Sequence, residues 1–285
     1  MTASSDFQSR LLNFVLQRAN TPLGTVQFRQ AGASFAQTTH VLLHGIGSGS
    51  GSWLMQLEAA VRQAHRVGVL TWEAPGYGAS TPVRSLTPLA ADYAARLWDW
   101  LDTLGVKQPI TLVGHSLGAL MAASAAVAQP SRVARLVLLS PAQGYGEADA
   151  SLRQQKLLDR LQTLQTLGPQ GMASKRGVAM LSSHASAQQL AYVQHIMAQV
   201  NPSGYTQATQ MLSQGHIVAD LKRCSAPVAI ASGRADGITP MAGCQSLAAH
   251  VGVPWHDLGE VGHACPLEGA PQVNALLGLE HRFSA

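Results

Sequence analysis

The chain is poor in charge. Asp, Glu, Lys and Arg make up 12% of its 285 residues, about half the usual share. Ala, Gly, Ser and Gln must therefore carry much of the surface. The deficit is not that of a disordered chain, because 46% of the residues are hydrophobic and disordered segments are poor in them. The 19 Lys plus Arg outnumber 15 Asp plus Glu and leave a net charge of +4. They are scattered, with no run of five or six basic residues, so no nucleic-acid footprint is expected. Cysteine is scarce as well: Cys224, Cys244 and Cys265 form no C-x-x-C pair, and their odd count argues against a disulfide framework or a structural zinc site. Long apolar runs are absent, so no membrane span is expected. The one N-terminal run, Leu11 to Leu16, is broken by Asn13 and too short for a secretory signal. A reducing, cytoplasmic location is the expectation, with a small molecule rather than a membrane as partner, and a monomer or homodimer.

What is present is alternation. No internal repeat occurs, and strands alternate with helices along most of the chain, which predicts an α/β fold with a mostly parallel sheet covered on both faces. Strands are expected at Thr25–Arg29, Thr39–Leu43, Arg66–Thr71, Pro109–Val113, Val133–Leu139, Pro227–Ser232 and Val253–Leu258. Helices are expected at Ala59–Ala64, Leu89–Leu104, Leu117–Ala128, Gly243–His250 and Pro271–Leu279. From Gly144 to Gly215 the alternation is lost, and Gln, Met and helical periodicity take over. The chain thus divides into a core, residues 1–143 and 216–285, and a helical cap inserted at 144–215. Length agrees, since a chain of this size buries roughly three quarters of its unfolded surface.

The strongest local signal is Gly114-His115-Ser116-Leu117-Gly118, of the form G-x-S-x-G, between an apolar strand and an Ala-rich helix. A sharp strand-to-helix turn there exposes the Ser116 hydroxyl at the carboxyl edge of the sheet. A serine needs a base to take its proton and an acid to orient that base. The usual order after such a turn is serine, acid, histidine. His263, in Gly262-His263-Ala264 just after the last strand, returns to the same edge and is the candidate base. Asp236, in the loop after Pro227–Ser232, is the candidate acid. Asp220 precedes that strand and Asp257 lies within the last one, so neither suits. His115 points away from the hydroxyl and His44 braces its loop. Oxyanion donors are expected from the backbone N–H of Leu117 and of Ile46, in the turn His44-Gly45-Ile46-Gly47. The glycines of that turn do not cradle phosphate, because the G-K-[ST] ending is missing.

These segments together resemble the α/β-hydrolase superfamily. The matching pieces are His44-Gly45, Pro75 to Ser80, Gly114 to Gly118, Gly233 to Asp236, and Gly262-His263 followed by Pro266-Leu267-Glu268. The resemblance implies an eight-stranded, mostly parallel sheet, Ser116, Asp236 and His263 as a catalytic triad, residues 144–215 as a lid, and no cofactor or metal. A serine at the turn separates the chain from the branches that use aspartate there. It looks most like the esterases, enol-lactonases and carbon–carbon bond hydrolases of aromatic-compound breakdown. The last group commonly carries a Gly-Pro-Gly-type run after His-Gly, and Ile46 to Trp53 departs from it.

The expected activity is hydrolysis of a carboxylic ester or lactone through an acyl-enzyme. Carbon–carbon hydrolysis of a vinylogous keto acid is the alternative, and a low-turnover ligand-binding protein on the same scaffold is the alternative from another class. An acyltransferase would differ only in the acceptor. No Asp or Glu lies between Arg160 and Ala219, whereas Lys175 and Arg176 do. Over a pocket that imbalance favours an anionic substrate; on a solvated face it means nothing. Met172, Met180, Met197, Met211, Tyr192 and Tyr205 either line an adaptable pocket or pack as core.

Overall fold

Apolar residues on both faces of a strand require a cover on each side, and the central strands here meet that condition. In the computed structural model, which describes residues 5–63 and 66–280, the strands are β1 (Gln17–Thr21), β2 (Gly24–Gly32), β3 (His40–Leu43), β4 (Gly68–Trp72), β5 (Ile110–His115), β6 (Val133–Leu139), β7 (Val228–Ser232) and β8 (Trp255–Asp257). They form one sheet in the order β1-β2-β4-β3-β5-β6-β7-β8. The β1/β2 and β2/β4 pairs are antiparallel and the other pairs parallel. Side chains alternate across the strands. Val41, Leu43, Leu136, Leu138 and Ile230 join one core. Leu42, Val137, Leu139 and Ala231 join the other. Each fully buried aliphatic side chain stabilises the fold by roughly 1.5–3 kcal/mol.

The helices are α1 (Ser5–Leu11), α2 (Leu54–Arg62), α3 (Ala90–Thr103), α4 (Gly118–Ala128), α5 (Ala150–Arg176), α6 (Ala187–Ala198), α7 (Pro202–Gln214), α8 (Ile217–Arg223), α9 (Met241–Val251), α10 (Cys265–Glu268) and α11 (Ala270–Leu277). Residues of α3, α4, α8 and α9 pack into the first core. Residues of α1, α2, α10 and α11 pack into the second. Helix α4 is buried over nearly all its length, so its alanines let α3 approach until Trp98 Nε1 donates to Ala125 O at 3.1 Å.

The strands expected from the sequence are all found, with ends shifted by at most three residues. Strand β1 escapes a sequence reading because it lies at the sheet edge and buries only Ala19. The helix expected at Ala59–Ala64 is the last part of α2, and Ala64 lies outside the described residues. Helices α1, α8 and α10, of seven residues or fewer, are too short to show a clear period.

Between Gly144 and Gly215 the chain makes α5, α6 and α7 and no strand. The two ends of this stretch are joined by backbone hydrogen bonds, Tyr145 N to Leu212 O at 3.2 Å and Gly146 N to Gly215 O at 2.8 Å. Helix α5 is broken at Gly168, whose φ of 59° and ψ of 178° are non-helical, and Pro169 follows. Among the described residues no helix is long and apolar enough to cross a membrane.

Candidate active site

From β3 the chain crosses to β4 on one side and then, after β4, to β5 on the other. Ligands in open α/β sheets gather at such a switch, beyond the carboxyl ends of the strands. Strand β5 ends there in His115, and Ser116 follows with φ of 52°. Such a conformation costs a non-glycine residue on the order of 1–3 kcal/mol. Three backbone bonds enforce it. Ser116 N donates to Leu139 O at 3.0 Å, and Ser116 O accepts from Ala119 N at 3.0 Å and Ala142 N at 3.1 Å. Gly118 permits the turn, because a Cβ on it would stand 2.3 Å from Leu43 O.

The loop after β3 is braced by His44. Its Nε2 accepts from Ala74 N at 3.0 Å and its Nδ1–H donates to Gly45 O at 2.8 Å. Burial lowers its pKa and keeps the ring neutral, which this pairing needs. Tyr77 OH donates to Ile46 O at 2.7 Å. The N–H groups of Ile46 and Leu117 have no acceptor among the described residues. Both residues line the cavity that also holds Ser116. Buried backbone N–H groups are nearly always paired, so two unengaged donors on one cavity are free to donate to a bound acceptor.

Asp236 and His263 come from the loops after β7 and β8. His263 Nδ1–H donates to Asp236 Oδ2 at 2.9 Å, and both side chains are almost fully buried. Burial alone would raise the Asp236 pKa. The hydrogen bond from His263 and its charge, with donors from Thr239 and Ser140, more than offset that and hold the carboxyl below the usual range. Asp236 Oδ1 also accepts from the N–H of Ile238 and of Thr239, each at 2.9 Å. His263 Nε2 has no partner among the described residues, and its ring lines the same cavity as Ser116.

The structure thus places all five residues expected from the sequence at one edge of the sheet, with Asp236 and His263 in direct contact. Asp257 instead pairs at the surface with Arg234, and Asp220 lies on α8 facing Arg223.

Three supporting residues were not legible in the sequence. Thr239 Oγ1 lies 2.9 Å from Asp236 Oδ2 and 3.1 Å from both Ser140 O and His263 Nδ1. His115 Nε2–H donates to His263 O at 2.8 Å, and burial, with His263 beside it, pushes its pKa down to about 3. Glu268 accepts from Gly262 N at 2.8 Å, Ser182 N at 3.0 Å and Ser182 Oγ. It therefore ties the histidine loop to the stretch between α5 and α6. Ala264 N donates to Met180 O at 2.7 Å across the same seam.

The cavity has a volume of about 270 Å³, and no carboxylate lines it. Met172, Met180, Met197 and Tyr205 lie on its wall. Met211 is core. Tyr192 faces a smaller neighbouring cavity, with its hydroxyl on Gly51 O at 2.8 Å. Cys265 is packed in the second core with Sγ 3.8 Å from Ser140 Oγ, and burial raises its pKa. Cys244 lines the cavity, and burial pushes its thiol up to about 11. Among the described residues no three His, Cys, Asp or Glu side chains gather to hold a metal ion.

A mostly parallel eight-stranded sheet, with a strained serine at the end of its central strand and a histidine after its last, defines a hydrolase of the α/β type. The chain belongs to the alpha/beta hydrolase family, whose model matches residues 41–275. It is 34% identical over 110 residues to a mouse (Lyso)-N-acylphosphatidylethanolamine lipase, covering 37% of this chain and 30% of the lipase. It is 29% identical over 192 residues to an (E)-2-((N-methylformamido)methylene)succinate hydrolase of Acinetobacter baylyi, covering 62% of this chain and 64% of that one. The crystal structure of the enol-lactonase from Burkholderia xenovorans superposes with a TM-score of 0.78 at 17% identity, covering 92% of this chain and 99% of that one. That likeness is one of fold.

Proposed function

We propose that this protein is a serine hydrolase that cleaves a carboxylic ester or lactone of a small molecule. One observation carries the reading: a serine in strained backbone shares a cavity with two unengaged N–H groups and a histidine whose far nitrogen is held by a buried carboxylate. In this reading His263 Nε2 takes the Ser116 proton as Oγ attacks the carbonyl carbon. The N–H groups of Ile46 and Leu117 receive the oxyanion, and Asp236 stabilises the imidazolium. His263 returns the proton to the departing alcohol. Water then repeats the cycle on the acyl-serine and releases the acid. Residues 144–215 act as the cap, supplying the methionine and tyrosine side of the cavity.

The hydrolase name of the Acinetobacter baylyi relative supports a hydrolytic reading. The Gly- and Ser-rich run from Ile46 to Ser52, with no proline, keeps ester cleavage ahead of carbon–carbon cleavage.

The test is a burst assay with p-nitrophenyl acetate and butyrate. The parent is expected to release one equivalent of nitrophenol per active site and then turn over. Ser116→Ala, folded by circular dichroism, is expected to lose the burst and on the order of 10⁴-fold or more in kcat. A folded parent without burst or turnover on these esters, lactones and ring-cleavage keto acids would overturn the reading.

A further inference from the structure

Two arginines of α5, Arg160 and Arg176, line the cavity that contains Ser116 and His263. The sequence gives no reason for them to meet. Sixteen residues of unbroken helix, at about 100° and 1.5 Å each, would set them roughly 160° apart in direction and about 24 Å apart along the axis. The break at Gly168-Pro169 redirects the second half of α5, so each half brings an arginine to the same cavity. Both arginines are half-buried. Neither has a hydrogen-bond or ion-pair partner among the described residues. Among the described residues no Asp or Glu lines the cavity, and Asp236, the carboxylate of the site, is engaged by His263. Lys175, the third cation of the acid-free stretch, faces a separate surface pocket beside Asp159.

A half-buried guanidinium without a partner has lost hydration and gained no counter-charge. Two of them on one wall create a positive potential that an anion would complete. The rest of the wall is methionine, tyrosine and backbone, which suits a short carbon skeleton. The planar fork of arginine matches a carboxylate with two parallel hydrogen bonds.

We propose that Arg160 and Arg176 form a carboxylate-recognition subsite, so that the preferred substrates are short esters or lactones bearing a free carboxylate remote from the scissile carbonyl. The proposal rests on the serine-hydrolase reading, and the experiment separates the two. The values of kcat/KM are measured for mono-p-nitrophenyl adipate, which carries a free carboxylate, and for p-nitrophenyl hexanoate, its neutral counterpart. The parent is expected to favour the adipate ester by about tenfold or more, the size expected of a hydrogen bond to a charged group. That ratio is expected to fall several-fold in Arg160→Gln and in Arg176→Gln, and to approach one in the double variant. Arg176→Lys is expected to retain part of it, as a point charge without the fork. A ratio near one in the parent, or a ratio unmoved by both substitutions, overturns the subsite and leaves the hydrolase intact. If neither ester is cleaved, calorimetric titration of the Ser116→Ala protein with adipate decides the subsite independently of turnover. Binding that disappears in the additional Arg160→Gln, Arg176→Gln background supports it, and absence of binding overturns it.

Discussion

The hydroxyl of Thr239 stands within hydrogen-bond reach of Asp236, His263 and the carbonyl of Ser140. Donating to Asp236 Oδ2, the oxygen that also accepts from His263 Nδ1–H, it fixes the rotation of the carboxylate that meets the imidazole. It acts through Asp236 and is a positioning residue. Thr239→Val keeps the shape and removes the hydrogen bond, and is expected to lower kcat on p-nitrophenyl butyrate about tenfold, with Thr239→Ser restoring most of it. A drop in melting temperature with kcat unchanged would assign the hydroxyl to stability alone. The site residues differ in how legible they are. Ser116 is announced by glycines two residues to either side, because the turn is local and its steric demands are written next to it. Asp236 and His263 are placed only by the strands that precede them. Thr239, three residues beyond Asp236, has no sequence mark, since its role depends on a rotamer and on a carbonyl ninety-nine positions away.

At the level of the element, α5 carries a break that its periodicity does not announce. The φ and ψ of Gly168 lie in a region open essentially to glycine alone, and no atom lies within 4 Å of where a Cβ would stand. The cost of a side chain there is therefore one of backbone strain and not of collision. Gly168→Ala is expected to destabilise the protein by roughly 1–3 kcal/mol, read as a lower urea midpoint. By redirecting the second half of the helix it is also expected to reduce the adipate-over-hexanoate ratio while the Ser116 burst persists. An unchanged midpoint would show that the break belongs to Pro169. The strands were legible for a simpler reason: those in the middle of the sheet bury both faces, and short apolar runs bounded by turns are their signature. Strand β1 and the short helices lack that signature because they bury few residues.

For the whole molecule, buried imidazoles shape the response to acid: His44, whose pKa burial lowers, and His40 and His115. Burial, with Arg135 nearby, lowers His40 to about 4, and His115 lies lower, at about 3. Unfolded, both titrate near 6.5. Between pH 6.5 and 4 the unfolded chain therefore binds protons that the native state refuses, and stability rises with pH across that window. It is fully present above pH 6.5 and is lost as the pH falls. His40 alone accounts for about 3 kcal/mol of that loss. Asp236, whose native pKa is depressed, adds its own loss only below about pH 4. His40→Gln, which keeps a donor for Leu277 O, is expected to narrow the gap between melting temperatures at pH 7.5 and pH 4.5. An equal gap in parent and variant would assign the acid sensitivity to other groups.

The amino-acid sequence by itself determined the layers of this protein and the turn that carries Ser116. Strand runs, helical periods and the G-x-S-x-G turn are governed by neighbours a few residues apart, and local sterics and burial suffice to specify them. The tertiary structure alone decided which distant groups meet. Parallel register carries the loops after β5, β7 and β8 to one edge. Burial then turns Asp236 and His263 toward each other, since an unpaired buried carboxylate is costly. Whether the cations of the acid-free stretch face water or the cavity was undecided along the chain. The break at Gly168 settles it, by folding one helix so that Arg160 and Arg176 reach the same space while Lys175, one residue from Arg176, faces away.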